Sequence, residues 1–185
     1  MHAVLAFLLT LSNGWAETPV PEIPPAVMGF VETRGGTPAS VSRRAGADLG
    51  EYHAYRVSMK SIGPGDPGEW ILYAHQGQPM LERKSDWSGF LRAAAPDRVA
   101  KALSGPLDTL VRAVNAKDPA YMFFKELQVI SDAEKDPVLK EDGTLVFYVI
   151  DGQGDPPSED VYRIAVRAKP EGGLDIQRTW MRPTK

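Results

Sequence analysis

Apolar and polar positions alternate from Tyr55 to Lys60, with Tyr55, Val57 and Met59 on one side and Arg56, Ser58 and Lys60 on the other. A period of two is that of a strand with one buried and one wet face. Glu69 to His75 is apolar on both faces and predicts an interior strand, joined to the first by the turn-forming run Gly63-Pro64-Gly65-Asp66-Pro67-Gly68. Gln76-Gly77-Gln78 supplies a glycine for a tight hairpin, with Pro79 to Lys84 returning as the antiparallel partner. Near the other end, Thr144 to Ile150, Asp160 to Ala168 and Leu174 to Trp180 predict three more antiparallel strands. Each reversal between them carries glycine or proline: Asp142-Gly143, Asp151 to Pro157 and Glu171-Gly172-Gly173. In the second of these strands Tyr162, Ile164 and Val166 alternate with Val161, Arg163, Ala165 and Arg167, which marks a sheet with one solvated face.

The middle of the chain changes period. Val99, Leu103, Leu107, Leu110, Val111 and Val114 recur at spacings of three and four, so residues 97 to 116 predict one amphipathic helical face, interrupted at Gly105-Pro106. Ser85-Asp86 is a helix opening before Trp87, Phe90 and Leu91. Asp118-Pro119 opens a short turn through Phe124, after which Glu126 to Ser131 extends. Ala26 to Thr33 predicts a first strand ended by Gly35-Gly36, and the stretch from there to Gly50, with Arg43-Arg44 in it, has no period and is expected as a loop. The sum is an α+β fold with a mainly antiparallel sheet: N-terminal strands and a hairpin, a helical middle, and a C-terminal β-meander, with helices packed on one face.

The first sixteen residues break this pattern. An uncharged apolar run from Ala3 to Leu11 leads into Ser12-Asn13-Gly14-Trp15-Ala16, where Gly14 and Ala16 give the small-x-small spacing of a signal-peptidase site. The run is shorter than the roughly 20 residues that span a bilayer, so residues 1–16 are expected to be a signal peptide, although the basic n-region is represented only by Met1-His2. Residues 17–25 hold four prolines and form a polyproline arm that joins no central strand or helix. Residues 26–185 are then one α+β domain, long enough to bury a core of its own. That address places the protein in the periplasm or outside the cell.

Composition removes whole classes of chemistry. With no cysteine in the chain, disulfides, zinc-thiolate sites, iron-sulfur clusters, cysteine nucleophiles and a lipoprotein anchor are excluded. The net charge of -3 conceals two blocks: residues 83 to 125 hold eight Lys and Arg against four acids, and residues 126 to 160 hold two Lys against ten acids. No basic domain of the kind that grips nucleic acid is present, so no nucleic-acid partner is expected. The acidic residues Asp132, Glu134 and Asp136 are the candidate partner-binding set, facing a basic protein of the envelope. They do not form a calcium loop, because Pro137 stands where the loop's turning glycine belongs and no bidentate acid follows. No metal site and no cofactor is expected, and Gly-x-Ser-x-Gly and Ser-x-x-Lys do not occur among the serines of the mature chain.

Two histidines lie beyond the signal, His53 and His75, without the spacing of a metal or triad motif. His75 borders the hairpin turn and shares a strand face with Tyr73 and Ile71. The hairpin brings Glu82 and Asp86 toward it, and a carboxylate beside an imidazole is the minimum for proton transfer, so His75, Glu82 and Asp86 are the catalytic candidates. Tyr73, Trp87 and Tyr121 are candidates to line a ligand cleft, with Trp87 expected to be partly exposed at its helix start. The expected function is a non-catalytic binding or protein-interaction domain of the cell envelope that uses its acidic loops and an exposed strand edge. The competing expectation is a small hydrolase or ligand-binding pocket protein built on His75 with Glu82 or Asp86.

Overall fold

A computed structural model describes residues 23–34, 38–59, 69–80, 83–94, 98–103, 127–130, 135–151 and 160–181. The fold is α+β and mainly antiparallel. Strands β1 (Pro38–Arg43), β2 (Tyr52–Met59), β3 (Glu69–His75) and β4 (Gln78–Pro79) form one sheet in sequence order. Strands β5 (Leu127–Ile130), β6 (Val138–Leu139), β7 (Leu145–Asp151), β8 (Val161–Ala168) and β9 (Leu174–Met181) form the second. In that sheet β5 and β6 share one edge of β7, pairing with Tyr148–Asp151 and Leu145–Val146 respectively, and β8 and β9 follow on the other side.

The two faces of the first sheet serve two cores. Tyr52, Ala54 and Tyr73 point to the larger one, shared with Trp87, Phe90 and Leu91 of helix α2 (Trp87–Ala93), Val99 and Leu103 of the helical stretch at 99–103, and Leu145, Phe147, Val149, Ile164 and Val166 of the second sheet. The strand pleat turns Tyr55, Val57, Leu72 and Ala74 the opposite way, where helix α1 (Pro25–Arg34) covers them with Val27 and Val31.

That first helix corrects the expectation of a strand over Ala26–Thr33. Val, Met and Phe there favour extended backbone in isolation, but Pro25 occupies the first helical position with its φ already set, and the Pro24 carbonyl accepts from the N–H groups of Val27 and Met28. Val27 and Val31, four apart, then fall on one helical face and are both essentially inaccessible. The loop expected before Gly50 is also corrected, since β1 pairs with β2 through Val41↔Val57 and Arg43↔Tyr55, with a register shift between Pro38 and Ser40. Pro38 is tolerated because it opens an edge strand.

The hairpin after β3 turns on Gln76 (φ 50) and Gly77 (φ 76), the pair of positive φ values that matches strand twist. Its returning strand is shorter than the span to Lys84: after Gln78 and Pro79 pair with His75 and Ala74, Met80 donates once more to the Tyr73 carbonyl and is buried, and Arg83 and Lys84 already lie in a turn. The helix opening at Asp86 and the three C-terminal strands fall where the pattern placed them. Of the long helical face at 97–116, residues 98–103 are described and 99–103 are α-helical; residue 97 and residues 104–116 lie outside the described residues, as do the signal segment, the proline arm before Ile23, and the turn at 118–124.

Candidate functional site

His75 ends β3 on the face that carries Tyr73, and the register sets it directly opposite Tyr52. The two rings stack with centroids 4.8 Å apart and planes at 31°. His75 Nε2 lies 3.3 Å from Glu51 Oε2, a carboxylate that is 84% exposed on the tip of the adjoining turn. Asp86 is brought into the same neighbourhood, but its oxygens are already engaged. Oδ1 accepts from the Gly89 N–H at 2.9 Å, which caps α2, and Oδ2 accepts from the Tyr52 hydroxyl at 2.8 Å. These two bonds, the Gly89 N–H first, hold the Asp86 carboxyl below the usual carboxylate range. Burial, with Asp86 beside it, pushes the Tyr52 hydroxyl far above the usual tyrosine range, so it stays a donor. The arrangement therefore ties α2 to the first sheet through a carboxylate that makes no hydrogen bond to the imidazole. Glu82 lies outside the described residues.

A second constellation, which the sequence reading missed, gathers at the opposite face. Arg43 of β1 donates through both guanidinium nitrogens to Asp48, whose Oδ1 also accepts from the Ala54 N–H at 2.9 Å. Arg43 donates in addition to the Ala54 carbonyl at 3.1 Å and sits 5.4 Å above the Tyr55 ring. Burial raises the Asp48 carboxyl, but the hydrogen bonds from Arg43 and Ala54 outweigh it and hold the group below its ordinary value. His53 completes the cluster with Nδ1 against Arg43 Nη2 and 3.2 Å from Asp48 Oδ2. Those contacts demand opposite roles of one nitrogen. A guanidinium N–H only donates and a carboxylate oxygen only accepts, so Nδ1 satisfies one of the two at a time, and its contacts are with Arg43 and Asp48 of the cluster itself. Arg98 closes the cluster by donating to the Asp48 carbonyl at 3.1 Å. Residue types alone carry no signal for this cluster; only the β1–β2 register, which sets Arg43 opposite Tyr55 and so near Ala54, brings its members together.

Two of the aromatic candidates, Tyr73 and Trp87, are core residues. Tyr73 is 1% exposed and its hydroxyl donates to the Ala47 carbonyl at 3.2 Å. Burial pushes that hydroxyl up to about 12. Trp87, expected at a partly open position, is 2% exposed, because the 87, 90, 91 spacing turns it inward beside Phe90, whose ring it meets edge-on at 6.0 Å. Tyr121, Asp132 and Glu134 lie outside the described residues, and Asp136 is exposed just before β6. Among the described residues no group of three or more His, Asp or Glu is placed to hold a metal ion.

The exposed apolar surface lies elsewhere. Strand β9 pairs with β8 over eight consecutive residues without a register shift, and among the described residues nothing pairs with its other edge. Residues 177–181 are all exposed, including Trp180 at 50% and Met181 at 37%. Trp180 is nevertheless held, since its indole N–H donates to Asp160 Oδ1 at 3.1 Å, and beside it Arg178 lies 4.9 Å above the ring of Tyr162, the residue that Trp180 faces across the ladder. Met181 points to the opposite face, where the register aligns it with Val161 and Ile150 in one row. Comparison with protein-family models, with curated proteins and with solved structures finds no match for this chain.

Proposed function

We propose that this chain is an exported, periplasmic domain that binds another protein of the cell envelope and catalyses no reaction. Export is supported by the apolar run from Ala3 to Leu11 and the small residues Gly14 and Ala16 that follow it. The absence of catalysis is supported by the way the described carboxylates beside the two histidines are used: Asp86 caps a helix and binds Tyr52, and Asp48 accepts from Arg43 and Ala54.

The observation that carries the reading is the edge of β9. Edge strands left open to water are ordinarily blunted by proline, lysine, a bulge or a short length, because a row of unpaired N–H and C=O groups recruits another strand. Leu174–Met181 has no proline, lysine or bulge, and its charges are limited to Asp175 and Arg178: it is eight residues long, in unbroken register, and ends on two exposed apolar side chains. The partner is an extended segment that adds to β9 as a further strand, its main chain matching the ladder and its side chains meeting Trp180 on one face and Met181 on the other. Asp136 stands at the far side of this sheet, just before β6, so it and β9 are separable surfaces.

A photo-reactive residue placed at Gln177 and, separately, at Asp136, in cells that export the protein, tests the reading. An adduct of one defined mass from position 177, lost when Trp180→Lys is added, is expected. Adducts from position 136 alone would move the interaction to the acidic loop, and none from either position would end the proposal.

A further inference from the structure

The segment leading into α2 and the turn between β8 and β9 meet at a single backbone contact. Gly173 N–H donates to the Arg83 carbonyl at 2.8 Å. Any side chain on Gly172, which has φ +94, would place its Cβ 2.1 Å from that same oxygen, so only glycine lets the two segments approach this closely. Around the contact the outward side chains line an open cleft of about 580 Å³, within the size range of small-molecule sites.

The lining is weighted toward cations. Arg83 and Lys84 stand on one wall and Lys169 on the other, all exposed. Among the described residues none of the three has a side-chain hydrogen bond or ion pair. Two carboxylates share the lining: Asp86, whose oxygens accept from the neutral Gly89 N–H and Tyr52 hydroxyl and keep their charge, and Glu171, so the three cations exceed the acids by one. Ser88 Oγ accepts from Arg92 at 2.8 Å, so its own proton is directed to another acceptor. Cations fixed on two facing walls repel one another unless an anion lies between them.

We infer that this cleft binds a small multivalent anion, a molecule with at least two phosphate or carboxylate groups, one taken by Arg83 and Lys84 and the other by Lys169. Glu171 sets the requirement for two groups, because a single negative charge is offset by its own. This site is independent of the β9 edge and uses none of its side chains.

Calorimetric titration of the purified protein with tripolyphosphate and with citrate, at low and at moderate salt, tests it. One-to-one binding of either anion that weakens as salt rises is expected, and which one binds tells phosphate from carboxylate chemistry. Lys169→Ala is expected to weaken binding about tenfold, the usual scale of one charge-assisted hydrogen bond, and Glu171→Gln to tighten it. Gly172→Ala keeps every charge yet separates the walls, and is expected to weaken binding as well. Arg167→Ala, an exposed cation of β8 outside the cleft, should change affinity by less than about twofold, as a surface charge more than a contact away does in salt. No binding of either anion, or an equal loss from Arg167→Ala, would overturn the inference.

Discussion

At the scale of single residues, Asp86 does more for this fold than either histidine. Its two oxygens join a helix start to a strand residue 34 positions away in sequence, and the deletion of a helix cap costs about 1 kcal/mol. Asp86→Ala is therefore expected to lower stability by about that amount or somewhat more in urea unfolding, while His75→Ala, which loses the ring contact with Tyr52 and one long contact to an exposed glutamate but leaves no backbone donor unpaired, should lower it less. Because the Asp86 carboxyl is held below its unfolded value of 3.8, its contribution is present above that pH and is lost as the pH falls through the lower folded value; Asp86→Asn should flatten the acid limb of a stability profile. Tyr73 works in the other direction. With its hydroxyl raised by burial from 10.0 to about 12, the contribution is complete below pH 10 and is lost as the pH climbs toward 12. Tyr73→Phe should remove part of that alkaline loss, and an unchanged alkaline limb would contradict the assignment.

Among the elements, α1 is the clearest case of a pattern that was present but outvoted. Val27, Phe30 and Val31 each favour a strand taken one residue at a time, whereas Pro25 at the first helical position and the four-residue spacing of the two valines favour a helix. Packing decides, because only the helical spacing delivers both valines to Tyr55, Val57, Leu72 and Ala74. Val27→Ala or Val31→Ala is expected to cost about 2 kcal/mol, readable as a drop in the urea midpoint with an unchanged slope, since both leave a void in a closed core. The C-terminal strands were legible for the opposite reason: alternation in Val161–Ala168 and glycine at each reversal agree with each other. Strand β1 was illegible because its one buried-face apolar residue, Val41, gives no period, and its place is dictated by pairing with β2. The same dependence on register hid the Arg43–Asp48–His53 cluster, while the proximity of His75 and Asp86 followed from the hairpin and needed the Tyr52 contact to be read correctly.

For the whole molecule, among the described residues, two antiparallel sheets share one core and helix α1 covers the outer face of the first. Among the described residues no helix is long and apolar enough to cross a membrane. Two of the surfaces left open among the described residues are the edge of β9 and a cleft beside α2, and their chemistry differs: one offers main-chain hydrogen-bonding groups with Trp180 and Met181, the other offers Arg83, Lys84 and Lys169. The central claim is strand addition at β9, and amide hydrogen exchange of the protein with and without its cross-linked partner tests it most directly. The account predicts new protection at alternate residues of Leu174–Met181, with the exchange of β6 and its neighbouring loop unchanged. Protection confined to residues 135–144, with β9 exchanging as fast as in the free protein, would contradict it.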